Sequence, residues 1–323
     1  MSTAGIKVFS GMSVKDHPTI IDDKHSPDLS NVRIDDKIGS LTNMEGTEKY
    51  NTSAFDSSIT AMFQLKRTEL FGAVLGNYPT LRAGLGTPTG TPITNVTELQ
   101  AMENDLAGSY YLANDIDASA TTGWNGGLGF DPIGDLSTKF SGIFDGNGYT
   151  ISDLFMDRNG NRDALFRYAD SAEIKNLGLI DVDITGGGSV GSLIGSPGGT
   201  TVTNCFVTGS VVANGDDAGG LFGEGGVIAT NVYSICSVSA SQWAGGLVWL
   251  SGGTYNDCFW DTQISGVATS GGGTGKTTAQ MKQEATFTNW DFDDIWEIVP
   301  IRDMISKENK SMFCLSGSKL YLI

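Results

Sequence analysis

The residues of this chain that could do chemistry are scattered, and each set falls short of a site. The segment SGGGTGKT ends in Gly275, Lys276 and Thr277. A phosphate loop needs Gly, four residues, then Gly-Lys-Ser/Thr, so that successive backbone N–H groups wrap the phosphates. Counting back from Gly275, the first position is Ser270. No buried apolar strand leads into the segment and no Mg²⁺-binding Asp ends a strand. Lys276 is therefore read as a loop residue before a short helix, and no cofactor is expected. Asp115, Asp117, Asp131, Asp145, Asp181 and Asp183 supply carboxylates, and a pair set roughly 5–10 Å apart could cleave a glycosidic bond. Asp181 and Asp183, two apart on a strand, would share a face. Asp115 and Asp117 could take Ca²⁺, but no EF-hand or nonapeptide pattern accompanies them. In so acidic a chain such pairs arise by chance, so no catalytic residue and no metal ligand is assigned. Trp124 and Trp243 could stack on sugars, with core or end packing the stronger reading. Both histidines, His17 and His25, fall in the first 30 residues, which leaves the rest without the commonest general base.

What must position such residues is a repeat. Asp153, Asn176, Asn204, Asn231 and Asp257 each open a similar word: DLFMD, NLGLID, NCFVTG, NVYSIC, DCFWDT. Between them recur ALFR, GSLIG, GGLFG and GGLVW, placing Leu165, Leu193, Leu221 and Leu247 at intervals of 28, 28 and 26 residues. The Asn/Asp intervals are 23, 28, 27 and 26. A fixed period in this range marks stacked repeats. Each unit holds short apolar words rich in Val, Ile, Leu and Phe, separated by Gly, Asn, Asp and Ser, which read as strands and turns. No unit buries its apolar side alone. Stacked at about 4.8 Å, the units cover one another, with the four leucines as repeat core. Propeller blades typically need ~40 residues, so one coil of a parallel β-helix fits better. The Asn/Asp positions are expected in left-handed turns, and Asn204 and Asn231 could stack as side-chain ladders.

The words GSLIG, GGLFG and GGLVW, alternating with NCFVTGSV and DCFWDTQISG and closing on GGTGKTTAQM, resemble the GLUG-repeat family. With TELQAMENDLAGSYYLANDID and FSGIFDGNGYTISDL the resemblance spans roughly Thr94 to Ile298. It implies a right-handed parallel β-helix, in bacterial surface proteins and phage-encoded proteins, and brings no catalytic set. Residues 26–51 are similar to the opening of tailed-phage virion proteins. Pro27, Asp28, Leu29, Asn31, Val32 and Arg33 carry a Pro-Asp-Leu-x-Asn-Val-Arg phrase, followed by Gly39, Leu41, Gly46, Tyr50 and Asn51. The first six are the expected docking residues. The propeller-like strands that usually follow are missing.

Composition bounds the partners. The chain has 323 residues, 44 glycines and a net charge of −17. Residues 1–92 hold 9 basic and 10 acidic side chains, 93–298 hold 7 and 25, and 299–323 hold 4 and 2. The repeat segment therefore carries −18 (7 minus 25). It should be repelled by nucleic acid and anionic membranes, and an acidic face keeps strand edges soluble. No run approaches a membrane span, and MSTAGIKVFSGMSV lacks the apolar core of a secretory signal. Cys205, Cys236, Cys258 and Cys314 lack metal-ligand spacing. Cys205 and Cys258 sit two coils apart, beyond disulfide reach, and read as buried thiols of a reducing cytoplasm.

The expected organisation is a 1–92 arm and hairpin, a 93–298 β-helix of about five coils, and a 299–323 hairpin. Residues 1–50 read as an extended arm, and Ile59–Leu75 as a hairpin. Gly84–Pro92 is a linker, and Thr97 with Gln100 a capping box opening a helix that plugs the first coil. Strands follow at Tyr110–Ile116, a loop at Trp124–Gly134, and a turn at Asp145–Gly148. Thr277–Glu284 forms a short helix, and Trp290, Phe292, Ile295 and Trp296 cover the other end. Met312–Leu315 and Lys319–Ile323 form a last hairpin, expected to pair with Ile59–Leu75 and so make the β-helix an insertion in a small antiparallel sheet.

The functional expectation is a non-enzymatic structural protein of a tailed-phage virion, assembled in the host cytoplasm as a homo-oligomer. Its arm would dock on portal, neck, tail or capsid proteins while the acidic β-helix projects and touches host glycans weakly. The alternatives are a bacterial surface adhesin, disfavoured by the missing signal, and a glycan-depolymerising tailspike.

Overall fold

The computed structural model describes Tyr78–Ile298 and, outside them, the backbone of four short strands. The chain divides into two compact units, Met1–Gly76 with Val299–Ile323, and Asn77–Ile298. In the first, Val32–Ile34 pairs antiparallel with Leu41–Asn43, a pairing the arm reading lacked. Phe313–Ser316 pairs antiparallel with Lys319–Leu322, close to the expected hairpin. Pro27, Asp28, Leu29, Asn31 and the Ile59–Leu75 hairpin lie outside the described residues; Val32 and Arg33 stand in the first strand.

The second unit is a parallel β-helix. Its spine is three long strands in register, Glu173–Gly186, Thr201–Ala213 and Ile228–Ala240. Thr91–Ile93, Ser109–Leu112 and Ile143–Asp145 extend it on one side. Phe259–Asp261 and Thr274–Lys276 extend it on the other. Phe166–Asp170 with Ile194–Gly198, and Asp217–Gly219 with Trp243–Gly245, build further walls. The turns number about 4. The expected Gly84–Pro92 linker lies inside this unit.

Stacking puts like residues in columns. Phe166, Ile194, Phe222 and Val248 are bridged in succession, so the residues before them share a column: Leu165, Leu193, Leu221 and Leu247, all buried in the core. Ile174, Val202 and Ala229 form a second column, and Leu177, Cys205 and Val232 a third. Alternate residues of each strand point inward, so a word such as NCFVTG sends Cys205 and Val207 into the core and Phe206 out.

The corners use the left-handed region. Asp153, Asn176, Asn204, Asn231 and Asp257 all have φ between 50° and 57°, which short polar side chains tolerate best. Asn204 Nδ2 donates to Asn176 Oδ1 at 3.2 Å, Asn231 Nδ2 to Asn204 Oδ1 at 3.4 Å, and Asn176 Nδ2 to Asp145 Oδ1 at 3.1 Å. Asp153, however, belongs to a different corner. Thr150–Ser152 pairs with Gly178–Ile180 and Phe155–Asp157 with Asp183–Thr185, which sets Asp153 (φ 57°) against Asp181 (φ 50°). The corner matching Asn176 holds Asn147, φ 53°, in the Asp145–Gly148 turn.

The N-terminal end of the core is closed by a helix. The first helix is Val96–Gln100, and its N-cap is Asn95, whose side chain accepts from the Glu98 N–H, two residues ahead of the expected box. Gln100 instead clasps Asp131, donating to its carbonyl and accepting from its N–H. Leu99 and Met102 enter the core and plug the first coil. Trp124 packs over Phe130, ring centroids 6.3 Å apart. At the other end Thr274–Lys276 is a strand of the last rung, so Lys276 is no loop residue and extends over the Phe259 ring. Thr277 and Gln280 then form the capping box of the helix Thr278–Met281.

Candidate functional site

The carboxylates named from sequence fasten loops. Asp115 Oδ1 accepts from the Thr150 N–H at 2.8 Å, and Asp117 Oδ1 from the Ser119 N–H at 2.8 Å. Asp131 pairs with Arg158 at 2.9 Å, and buried Asp145 accepts from Asn147 and Asn176. Asp181 and Asp183 do not share a face. The left-handed corner at Asp181 and a register shift between Leu179 and Val182 break the alternation, and Asp181 Oδ1 accepts from the Thr208 hydroxyl. Asp183 instead faces Asp157, and its carboxyl lies above the usual range, through desolvation first and Asp157 second. Among the described residues, no three His, Cys, Asp or Glu side chains gather as a metal site. No helix among them is long and apolar enough to cross a membrane. Cys205, Cys236 and Cys258 are free and buried, and burial pushes the Cys205 and Cys258 thiols up to about 12.

The most heavily built feature lies on the flank. Phe206, Tyr233 and Phe259 stand in register on three rungs and point out of the coil, yet none is more than 8% exposed. Phe206 and Tyr233 stack at 5.3 Å and 8°. Below them the column holds Gly178, where a Cβ would come within 2.5 Å of the Phe206 ring. The cover comes from both ends of the unit. From the C-terminal side come Phe287, Trp290 and Trp296, with the two indoles 4.3 Å apart. Trp290 and Trp296 were expected over the end of the coil and instead seal its side.

From the N-terminal side comes the strap Tyr78–Gly84. Tyr78 Oη donates to Asp261 Oδ2 at 2.8 Å, and Tyr233 Oη to the Pro79 carbonyl at 2.5 Å. Thr80–Leu81 pairs antiparallel with Trp296–Glu297. Arg82 Nη1 lies 3.0 Å from Glu297 Oε2, and the Gly84 N–H donates to the Asn147 carbonyl at 2.8 Å. The strap thus runs down the flank from the Tyr233 rung to the Asn147 corner before the first rung begins. Burial raises the Tyr78 hydroxyl well above its ordinary range, and the Asp261 carboxylate adds to it. Asp261, fully buried, also accepts from two backbone N–H groups and the Thr278 hydroxyl. The strand that leads into the coil and the strand that leaves it are hydrogen-bonded neighbours. Sequence reasoning missed this clasp, although one signal was there: Phe206, Tyr233 and Phe259 put a large ring where the alternation points outward.

No protein-family model matches the chain. Over 225 residues it is 37% identical to halomucin of Haloquadratum walsbyi, a match covering 62% of this chain and 2% of that protein. Over 125 residues it is 36% identical to an Evansella cellulosilytica protein provisionally named a Gly-rich membrane protein, covering 38% of this chain and 12% of that one. Among solved structures it is similar to a Bacteroides ovatus chain provisionally named an immunoglobulin A1 protease. That likeness has a TM-score of 0.40 at 15% identity, over 67% of this chain and 90% of the other. The chain therefore spans a small part of the curated relatives it matches.

Proposed function

We propose that the chain is a non-enzymatic structural protein of a tailed-phage particle, in which a stiff acidic β-helix is displayed from a base made by the rest of the chain. The observation that carries this reading is the clasp. The strands into and out of the coil pair with one another, which supports reading the coil as an insertion presented from one place. Stacked coils give stiffness without a cofactor, and an acidic surface resists collapse onto nucleic acid or anionic membrane. The wording at Pro27–Arg33 favours docking on virion proteins, assembly in the host cytoplasm and a homo-oligomeric arrangement. The likeness of the repeat words to GLUG arrays belongs to the same reading. Immunogold labelling of purified particles tests it: labelled particles support it, and label confined to host envelopes overturns it. Removal of residues 1–50 should abolish incorporation while leaving a soluble β-helix.

The names halomucin and Gly-rich membrane protein favour a second reading, in which the same body is a spacer module of a cell-surface protein. Label on cell envelopes in cultures free of particles would favour it.

A further inference from the structure

Two indoles lie flat against one another on the wall that contains Trp243–Gly245. The Trp243 and Trp249 ring centroids are 4.9 Å apart and their planes 14° apart, and Trp243 is 45% exposed. Of the other tryptophans, Trp260, Trp290 and Trp296 are buried and Trp124 is half-buried against Phe130. Trp243 forgoes that burial, with the half-buried Trp249 beside it, and leaves part of an indole open to a contact.

Its neighbour is polar. Trp243 is the register partner of Asp217, so the two side chains leave adjacent rungs on the same side. Asp217 lines a cleft of about 470 Å³ together with Asn161, Ser189, Asn214 and Asp216. Ser189 Oγ donates to Asp217 Oδ2 at 3.0 Å, and Gln242 Nε2 donates to Asp216 Oδ1. Arg162, the cation at the cleft, is engaged by Glu224 at 2.6 Å. Besides the Arg162 guanidinium, the cleft presents amide, hydroxyl and carboxylate groups, beside a flat aromatic platform.

We propose that this cleft and the Trp243–Trp249 platform bind a neutral saccharide. The C–H bonds on the flat face of a pyranose carry partial positive charge and lie against the negative π-face of an indole. Sugar hydroxyls both donate and accept, matching Asn and Ser groups and the two carboxylates. Uronic or sialic acids would add a third negative charge beside Asp216 and Asp217 and are disfavoured. The inference deepens the proposed display role by naming what the displayed body touches, and its test is independent of particle assembly.

The test is native gel electrophoresis of the full chain in gels containing dextran, mannan, galactomannan or polygalacturonate. At least one neutral polymer should retard the protein, polygalacturonate should not, and Trp243→Ala should remove the retardation with an unchanged melting temperature. Asp217→Asn should reduce it. No retardation by any neutral polymer, equal retardation of the Trp243→Ala protein, or retardation by polygalacturonate alone would overturn the proposal. So would light-scattering evidence that Trp243 mediates self-association in place of sugar binding. None of these failures would bear on whether particles carry the protein.

Discussion

The inside of the coil and its clasped flank are both apolar and both sealed, yet they are built on opposite plans. The inside is redundant: Leu165, Leu193, Leu221 and Leu247 occupy one column, and each coil covers the next. The flank is made once. Tyr233 contacts Phe206, Phe287, Trp290 and Trp296, and the side-chain hydrogen bonds of Tyr78, Thr80, Arg82 and Tyr233 that close the clasp join residues 154 to 217 positions apart. A repeat can stiffen a body, but it cannot bring the ends of that body together. That takes unique residues.

Perturbing the two regions should therefore have different reach. The largest effect is expected from Trp296→Ala, since emptying a fully buried indole site costs about 3–5 kcal/mol. Hydrogen exchange should show protection lost at Thr80–Leu81 and Trp296–Glu297 and kept along Thr201–Ala213; loss everywhere would erase the distinction between the regions. Leu221→Ala should cost about 2–5 kcal/mol, with protection falling first in the two coils that flank it, as read by the same exchange experiment. Tyr233→Phe strands the Pro79 carbonyl and should lower stability by about 1–3 kcal/mol in urea denaturation. Asn204→Ala, at φ 53°, should cost about 1–2 kcal/mol and Asn204→Gly less, because only the first keeps a Cβ in a left-handed corner; equal costs would mean that the ladder, not the corner, sets the choice of Asn.

The smallest effect is one of pH. Desolvation and then Asp131 raise the Glu103 carboxyl, as desolvation and then Asp157 raise that of Asp183. A carboxyl with a raised folded-state pKa holds its proton better folded than unfolded. It therefore weakens the fold at neutral pH, and that loss vanishes as pH falls through the raised value. Lowering pH from neutral toward the ordinary carboxylate range should raise the melting temperature slightly; no rise before the range in which lowered carboxyls such as Glu98 take up protons would contradict this.

Periodicity made the interior readable. Words repeated every 26 to 28 residues can bury their apolar side only by stacking, so the coil, the leucine column and the left-handed Asn corners followed. The misplacement of Asp153 had its own warning. Its interval of 23 to Asn176 was short because it belongs to a second corner of the coil. The helix cap moved from Thr97 to Asn95 because Asn accepts from the N–H three residues on, that of Glu98, as well as Thr97 would from that of Gln100, and local spacing does not choose between them. The clasp was illegible for a physical reason. Trp290 and Trp296 are apolar residues beyond the last repeat, and nothing in their spacing says whether they cover an end or a side. The answer lay in Phe206, Tyr233 and Phe259, read as strand residues without asking which way each pointed.

The pairing of Thr80 with Glu297 is where the account is most exposed. With Thr80→Cys and Glu297→Cys in one chain, mild oxidation should form an intramolecular disulfide between them, found by peptide mapping, with the native circular dichroism unchanged and a raised melting temperature. Free thiols at both positions in a folded protein, after oxidation that links a control pair across Glu173 and Thr201, would contradict it.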